Sequence, residues 1–336
     1  MKSRRVVKYI AAGQLRNEFI IDRAGKAHNN QPGGSLLYAG AALNFWGGTT
    51  GLLGVIDQEF PREIIESLVK HQLDTRGIKT IPEFLNPIAF YAYPNDNVCI
   101  RENPVAMYAA NRLPLPRELM DYQENDEKEE KNSPGNHIFL EDIPLDYLDA
   151  SAAHICSLEI TQQLQLSTLL QRGSIRTVTI QVHPAAMVPG RLDDVAILTK
   201  DTAAIITRET ELRGLFNMVT NDLWEMMERL CIYGSQVVVV KNALSGYSLF
   251  ERDYGKRYRI SDYPARRIDP TGEMDVFCGA FLTGLHDTYD PLHALSLATA
   301  AASIKVEGTG PFSINGSLPG LDKARMEALR DKILRY

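Results

Sequence analysis

From residue 150 to residue 241, short runs of apolar and mostly β-branched residues alternate with segments of helical periodicity, and this alternation limits the fold more than any other feature. Together with two earlier apolar runs, the pattern predicts strands at residues 6–13, 49–57, 153–158, 177–182, 203–207 and 237–241, and helices at residues 161–172 and 217–232. Strands that are apolar along their whole length are typical of a parallel sheet covered by helices on both faces. Ligands of such sheets bind beyond the carboxyl ends of the strands, so functional residues are expected there.

Length and composition fit an ordinary globular protein, since 336 residues with 44% hydrophobic content can bury one large α/β core or two unequal domains. No apolar run approaches the ~20 residues of a membrane helix, and no signal-peptide cleavage site follows the basic start, so a cytoplasmic location is expected. Four cysteines without C-x-x-C spacing indicate neither a disulfide framework nor a zinc site. A net charge of −6 without a basic cluster argues against nucleic-acid binding and favours a small-molecule partner.

Residues 266–286 combine a turn with the start of a strongly apolar helix. Pro270 and Gly272 interrupt the preceding structure, and a helix is predicted to begin near Glu273. Its apolar stripe consists of Val276, Phe277, Ala280, Phe281 and Leu285. The first-turn amides of a helix lack intrahelical partners, and with the positive end of the helix dipole they form a site for a phosphate or a developing oxyanion.

Asp275 lies in that first turn. A carboxylate beside an anion site has a catalytic interpretation, in which it takes the proton of a hydroxyl that attacks phosphorus. The alternative is an ordinary acidic residue that stabilises the helix N-terminus by roughly 0.3 to 1 kcal/mol. Taken alone, the segment favours this second interpretation.

The wider motif resembles the C-terminal signature of the ribokinase (PfkB) family of sugar and nucleoside kinases, D-T-T-G-A-G-D-x-F-x-G-x-F. The matching residues are Thr271, Gly272, Asp275, Phe277, Gly279 and Phe281. Glu273 and Met274 stand where the family has alanine and glycine. The resemblance implies a three-layer α/β/α fold with a mostly parallel central sheet and a small β-sheet lid. It also implies that Asp275 is the catalytic base and that Gly272, Glu273 and Met274 form the anion hole.

Two N-terminal segments extend the resemblance to the acceptor site. Glu18 follows Gly13 where the family's G-x-x-x-x-D has an aspartate that holds substrate hydroxyls, although an exposed loop carboxylate is the alternative. Gly33 and Gly34 lead into a small-residue helix similar to the family's sugar-binding G-G-x-x-x-N-x-A signature, with Tyr38 in place of asparagine. A phenol here replaces an amide that can both donate and accept through separate groups, so the acceptor is not expected to be recognised as a simple ribose. The implied substrate-binding residues are Glu18, Gly33, Gly34 and Tyr38.

Later segments are similar to the nucleotide side of the family's site. Residues 208–211 resemble N-x-x-E, which is linked to magnesium and phosphate placement, and residues 241–246 resemble K-x-G-x-x-G. The alanine-rich helix within residues 292–310 borders adenine and a monovalent-cation site in the family. The resemblance therefore implies Glu211 as metal ligand and, as nucleotide-binding residues, Arg208, Lys241, Gly246, Thr271 and Ser303. Considered singly, Glu211 also fits an ordinary first-turn glutamate, and Lys241 a solvated strand end.

The resemblance treats residues 1–336 as a single kinase domain whose lid comes from about residues 14–30 and 84–112. Residues 121–136 are charged and nearly free of apolar anchors, which predicts a flexible acidic surface insertion. Lids in this family sometimes pair between subunits, so the resemblance allows a homodimer formed through the lid.

The function implied is ATP-dependent transfer of a phosphoryl group to a hydroxymethyl group of a sugar, nucleoside or polyol, with Mg²⁺ and with K⁺ left open as a monovalent cation. The alternative is a catalytically weak or inactive sensor of a sugar or nucleotide, favoured by the departures at Tyr38, Arg208, Ala243, Glu273 and Met274. The departure at Met274 matters most. A left-handed conformation there would cost roughly 1 to 2 kcal/mol, whereas with negative φ the amide hole survives.

Overall fold

A ten-stranded sheet forms the centre of the computed structural model, which describes residues 6–96, 98–124 and 137–336. Its strands are β1 Tyr9–Ala12, β4 Thr50–Asp57, β5 Asp74–Ile81, β8 Ala152–Ile155, β9 Thr177–Gln181, β10 Ala204–Arg208, β11 Val237–Lys241, β12 Tyr247–Glu251, β13 Lys256–Ile260 and β14 Leu334–Arg335. A separate four-stranded sheet consists of β2 Arg16–Ile21, β3 Ala27–Gly33, β6 Ile88–Asn95 and β7 Val98–Ile100. Most of the predicted acidic insertion, residues 125–136, lies outside the described residues.

The main sheet has the strand order β14-β13-β12-β11-β10-β9-β8-β1-β4-β5. The strands from β11 to β5 pair in parallel, and β12, β13 and β14 extend the sheet in antiparallel fashion. The buried run Val237–Val240 shows why the central strands form here, because β-branched side chains pack well on both faces of a pleated sheet. The mostly parallel sheet predicted from the alternating pattern is therefore confirmed.

Helices cover both faces of this sheet. The α-helices of the described residues are α1 Ser35–Ala42, α2 Arg62–Lys70, α3 Pro104–Ala110, α4 Ile160–Gln171, α5 Leu192–Thr199, α6 Glu209–Leu215, α7 Leu223–Tyr233, α8 Glu273–Thr288, α9 Pro291–Lys305 and α10 Leu321–Arg330. Of these, α3 packs against the four-stranded sheet instead. One face of the main sheet packs against α4, α5, α6 and α7, and the other against α1, α8 and α9, which gives three layers. The helix predicted at 217–232 starts later, at Leu223, because Met218 has φ 66° and the Asp222 side chain caps the Trp224 amide.

The four-stranded sheet, which we call the lid, has one face covered by its own chain. Phe19, Ile21 and Phe90 of the lid pack against Tyr108 and Leu119, which lie on and after α3. The lid strands fall within the ranges predicted for them, except that β3 continues to Gly33. The other face of the lid is turned towards the main sheet, where it encloses a cavity. Among the described residues, no helix combines the length and the apolar character needed to cross a membrane.

Candidate active site

A cavity of about 1040 Å³ lies between the lid and the carboxyl ends of the parallel strands. Strand ends and the residues just after them form its floor: Gln14, Asp57, Ser157, Gln181, Arg208 and Lys241. Lid side chains, including Arg16, Tyr91 and Tyr93, form the opposite wall. The segment 270–275 at the start of α8 completes it. The cavity therefore lies at the edge of the sheet where a parallel arrangement binds its ligands.

Most of the site residues predicted from the sequence meet at this cavity. Those that line it are Glu18, Gly34, Tyr38, Arg208, Glu211, Lys241, Thr271, Gly272, Glu273, Met274 and Asp275. The chain thus brings together residues that are far apart in the sequence.

Three predicted binding residues, Gly33, Gly246 and Ser303, do not line the cavity. Gly33 has no room for a Cβ atom, because the carboxylate of Glu18 lies where that atom would be. Gly246 has φ 74°, which favours glycine whatever the ligand. Ser303 is buried on α9, where its hydroxyl accepts a hydrogen bond from Arg325 at 2.9 Å. All three have structural reasons for their identity, and their assignment as binding residues stays a prediction.

The start of α8 leaves fewer amides without a partner than predicted. The helix begins at Glu273, as expected, after Gly272 with φ 73°. Met274 lies within the helix and outside the set of residues with positive φ, so its side chain does not strain the turn. The Glu273 amide donates to the Pro270 carbonyl at 3.0 Å, so the prediction that this amide is bare is wrong. Within the described ranges 6–96, 98–124 and 137–336, the amides of Gly272 and Met274 have no hydrogen-bond partner, and they remain for an anion.

Asp275 lies one turn into this helix on the cavity wall and is half-buried. Burial and, after it, the charge of Asp275 raise the pKa of the thiols of Cys156 and Cys278. The carboxylate therefore lies close to two buried groups beneath the cavity. Its side chain is not directed into bulk solvent, which is the arrangement that a catalytic role requires.

Glu18 and Tyr38 form a buried pair below the anion site. The Tyr38 hydroxyl donates to Glu18 Oε2 at 2.8 Å, and the Gly34 amide donates to Oε1 at 2.8 Å. Glu18 is only 1% exposed, so the alternative of an exposed loop carboxylate is wrong. Desolvation by burial raises the pKa of Glu18 to about 7, although these two hydrogen bonds act in the opposite direction. The Tyr38 ring lies where a Cβ atom on Gly272 would be, so only glycine fits at the start of α8.

Glu273, the negative side chain that replaces the family's alanine, is neutralised on the cavity wall. Its carboxylate forms a bidentate pair with Arg267, with N···O distances of 2.6 and 3.2 Å, and Lys241 Nζ lies 3.8 Å away. Lys241 is itself bound to Asp262 at 2.6 Å and is partly buried, so it is not a solvated strand end. A carboxylate held by two cations repels an approaching phosphate far less than a free one would.

Glu211 is tied to the residue that replaces the family's asparagine. Its Oε2 accepts hydrogen bonds from the Arg208 amide at 3.0 Å and from the Thr207 hydroxyl at 2.9 Å, and its Oε1 lies 3.1 Å from the Arg208 guanidinium. The bond from the Arg208 amide is the half of a capping box that a first-turn glutamate provides, and the Arg208 side chain has no acceptor with which to form the other half. Among the described residues, no group of three or more His, Cys, Asp or Glu side chains is placed to hold a metal ion.

Two further contacts that the sequence did not predict hold the segment before α8. The Tyr93 hydroxyl of the lid is hydrogen-bonded to the Thr271 hydroxyl at 2.9 Å. The Lys305 ammonium, fully buried at the end of α9, donates to the Asp269 carbonyl at 2.9 Å. A lysine at a helix C-terminus is common, so Lys305 does not stand out in the sequence. The small and apolar residues before it are the one sequence feature that indicates its burial.

Comparison with known proteins agrees with this geometry. Residues 164–315 match the family described as pfkB family carbohydrate kinase. This match covers somewhat less than half of the chain, and the family is what the chain resembles at the level of sequence. The chain is 28% identical over 113 residues to a 5-dehydro-2-deoxygluconokinase of Clostridium perfringens, a match that covers 33% of each chain. It is 23% identical over 256 residues to a cytidine kinase of Thermococcus kodakarensis, covering 75% of this chain and 80% of that protein.

The fold is shared with solved structures of kinases. A putative ribokinase II from E. coli, crystallised with ATP and Mg²⁺, superposes with a TM-score of 0.70 over 97% of this chain and 99% of that one, at 18% identity. The ribokinase-like α/β fold expected from the motifs is thereby confirmed. At this level of identity the likeness concerns the fold alone.

Proposed function

We propose that this protein is an ATP-dependent kinase of the pfkB family that phosphorylates a hydroxymethyl group of a sugar, nucleoside or polyol. The observation that carries the proposal is the placement of Asp275 on the cavity wall, in the same helical turn as the two unpartnered amides of Gly272 and Met274. A base and an anion site side by side suit the attack of a hydroxyl on phosphorus. The names of the similar proteins, which include a sugar-acid kinase and a nucleoside kinase, support the same class of reaction.

Each group has a definite task in this mechanism. Asp275 accepts the proton of the acceptor hydroxyl as that oxygen attacks the γ-phosphorus of ATP. The amides of Gly272 and Met274 donate to the phosphoryl oxygens, on which negative charge is spread in the transition state. The acceptor lies on the lid side of the cavity, beside Tyr38 and Glu18. The nucleotide lies on the side of Arg208 and Lys241.

Mg²⁺ fits this chain as an ion that arrives with the nucleotide. Mg²⁺ keeps several waters and is usually held by one or two carboxylates together with substrate phosphates, so it needs no large cluster of acidic side chains. Glu211 is the carboxylate on the nucleotide side of the cavity that would take this part. When bound, the ion neutralises charge on the phosphates.

Three of the departures that favoured an inactive sensor, at Met274, Glu273 and Tyr38, are accommodated by their surroundings. Met274 keeps a helical backbone, and Glu273 is paired with Arg267. Tyr38 fills its space with a hydroxyl bound to Glu18. We therefore propose an active kinase whose partners are ATP and a small acceptor, with a cytoplasmic location.

A homodimer through the lid is restricted by the fold. One lid face closes the cavity and the other is covered by residues such as Tyr108 and Leu119, so the edge strands β3 and β7 are the parts of the lid available for pairing. A dimer of this kind would have to extend the lid sheet edge to edge.

The proposal is tested by mixing the purified protein with ATP, Mg²⁺ and a panel of sugars, sugar acids, nucleosides and polyols, and measuring ADP formation. For the best acceptor, Asp275→Asn is expected to lower kcat roughly 10²- to 10⁴-fold, the usual contribution of a general base. Asp193→Asn is the matched control, because Asp193 is an exposed first-turn aspartate of α5 away from the cavity. Equal kcat values for the wild type and Asp275→Asn would exclude the proposed role of Asp275. If none of the acceptors in the panel leads to ADP formation, the result counts against kinase activity itself.

A further inference from the structure

We infer that the ammonium of Lys305 is a built-in cation of the segment before α8, and that it removes the need for a dissociable monovalent cation such as K⁺ in the kinase proposed above. Lys305 is thus a positioning residue, which acts through the anion site and does not touch the substrate. The inference rests on the proposed function only for its effect on catalysis, since the binding of the cation can be tested in a protein without activity.

The surroundings of the ammonium are those of a cation site. Lys305 Nζ donates to the backbone carbonyls of Asp269 at 2.9 Å and Gly308 at 3.0 Å, and Asp269 Oδ2 lies 3.5 Å away. Both Lys305 and Asp269 are 0% exposed. Backbone carbonyls, helped by a carboxylate, are the ligands with which proteins replace the hydration shell of K⁺. An ammonium ion is similar to K⁺ in charge and size, and it satisfies the same oxygens through its three donors.

The family resemblance implies a site for a monovalent cation, but this chain has no room for such a cation beside the ammonium of Lys305. The oxygens that would bind the ion already bind Lys305, and a second cation there would place two like charges together in a region closed to water. Burial of two unscreened positive charges is strongly unfavourable. Burial lowers the pKa of Lys305, and the charges of Asp269 and Glu18 raise it again, so the ammonium is held among negative groups.

The same ammonium is linked to the anion site through Asp269. The Asp269 carboxylate accepts the Thr271 amide at 2.9 Å and the Gly310 amide at 3.4 Å, which fixes the turn that leads to Gly272. Lys305 Nζ also lies 5.4 Å from the centre of the Tyr38 ring, and that ring packs on Gly272. Removal of the charge would leave Asp269 buried without its cation, and the turn that presents the anion-binding amides would lose its support.

The first test uses the unaltered protein. Its Tm and, with an active acceptor, its kcat are measured in KCl, NaCl and tetramethylammonium chloride at equal ionic strength. Both quantities are expected to be the same in all three salts. A rise in Tm or kcat that is specific to K⁺ would overturn the inference, because it would show that a dissociable cation binds despite Lys305.

The second test asks whether an external cation can replace the side chain. Lys305→Ala is expected to lower Tm and kcat, and K⁺ or NH₄⁺, but not tetramethylammonium, is expected to restore part of each loss. Lys323→Ala is the control, because Lys323 is an exposed lysine of the neighbouring helix α10. A folded Lys305→Ala protein with unchanged Tm and kcat, or with losses that no cation restores, would contradict the inference.

The two measurements separate failure of this inference from failure of the proposed function. If the protein transfers no phosphoryl group, the Tm values in the three salts still show whether a cation site is open or filled. If Lys305→Ala does not fold, refolding yields are compared in K⁺ and tetramethylammonium. A yield that rises only with K⁺ or NH₄⁺ supports the cation role, and equal yields in all salts contradict it.

Discussion

Tyr38 shows how one side chain changes the chemistry of its neighbours. It stands where the family has an asparagine, and its hydroxyl and ring contact Glu18 and Gly272 respectively. As a result, the carboxylate of Glu18 is buried but still lines the cavity, and each of its two oxygens accepts one hydrogen bond from the protein. A carboxylate accepts more than two hydrogen bonds, so Glu18 keeps capacity for an acceptor hydroxyl.

The raised pKa of Glu18 makes the stability of the protein depend on pH. Because the folded state holds this proton up to about pH 7 and the unfolded state releases it near 4.5, the free energy of unfolding falls as pH rises between these values. From about pH 5 to about pH 8, Glu18 is expected to account for a loss of about 2 to 3 kcal/mol. Urea unfolding across this range measures the slope, which Glu18→Gln should flatten and the exposed-site control Glu66→Gln should not. A Glu18→Gln slope equal to that of the wild type would contradict the assignment.

Residues within continuous motifs could be predicted from the sequence, and residues brought together only by the fold could not. Gly272 and Asp275 follow from a turn that enters an apolar helix, because helix-start signals are local. The pairing of Lys305 with Asp269 joins residues 36 positions apart, and the pairing of Tyr93 with Thr271 joins residues 178 positions apart. In both pairs, the sequence around each residue gives no indication of which distant residue it will contact.

At the scale of elements, the N-termini of α6 and α8 face the same cavity and use their first turns differently. In α8, the amides of Gly272 and Met274 remain for a ligand. In α6, the side chain of Glu211 already satisfies the Arg208 amide and also contacts the Arg208 guanidinium. Arg208 therefore competes with any metal ion for the carboxylate that the resemblance assigns to Mg²⁺.

This competition predicts the effect of Arg208→Asn, which restores the family's residue. Asn is a favourable N-cap, and an i,i+3 ion pair on a helix surface contributes only about 0.2 to 0.5 kcal/mol, so stability should change little. Release of Glu211 from the guanidinium is expected to lower the Mg²⁺ concentration at half-maximal activity. Arg213→Gln, which removes an ion pair within the same helix, is the control. An unchanged Mg²⁺ requirement with a raised KM for ATP would show instead that Arg208 binds phosphate and that Glu211 is not the metal's ligand.

The order of elements was predicted best where the pattern is strongest. Parallel strands such as β11 and β9 come from uninterrupted apolar runs, and their positions agree with the predictions to within one residue or two. The antiparallel strand β13 was not predicted, because Lys256, Arg257 and Arg259 give it a charged sequence with no apolar run. Its structure depends on pairing with β12, and long-range pairing leaves little trace in local composition.

At the scale of the whole molecule, the cavity exists only between two sheets that pack separately. The lid has its own small core around Phe90 and Tyr108, distinct from the cores on the two faces of the main sheet. In the proposed kinase, acceptor and nucleotide would bind between these two sheets, and the contacts between lid and main sheet would decide how well the cavity is formed before they bind. The hydrogen bond from Tyr93 to Thr271 joins the lid directly to the turn before α8.

Loss of that single bond should weaken acceptor binding as well as the fold. Tyr93→Phe removes one hydrogen bond with a net contribution of about 0.5 to 1.5 kcal/mol, so the KM for the acceptor is expected to rise roughly 2- to 12-fold. Tyr108→Phe is the matched control, because the Tyr108 hydroxyl donates to Asn29 at 2.6 Å within the lid and away from the cavity wall. Urea unfolding should show similar losses of stability for both variants, and steady-state kinetics should show a raised acceptor KM for Tyr93→Phe alone. If both variants raise KM equally, the internal rigidity of the lid, rather than its link to Thr271, governs acceptor binding.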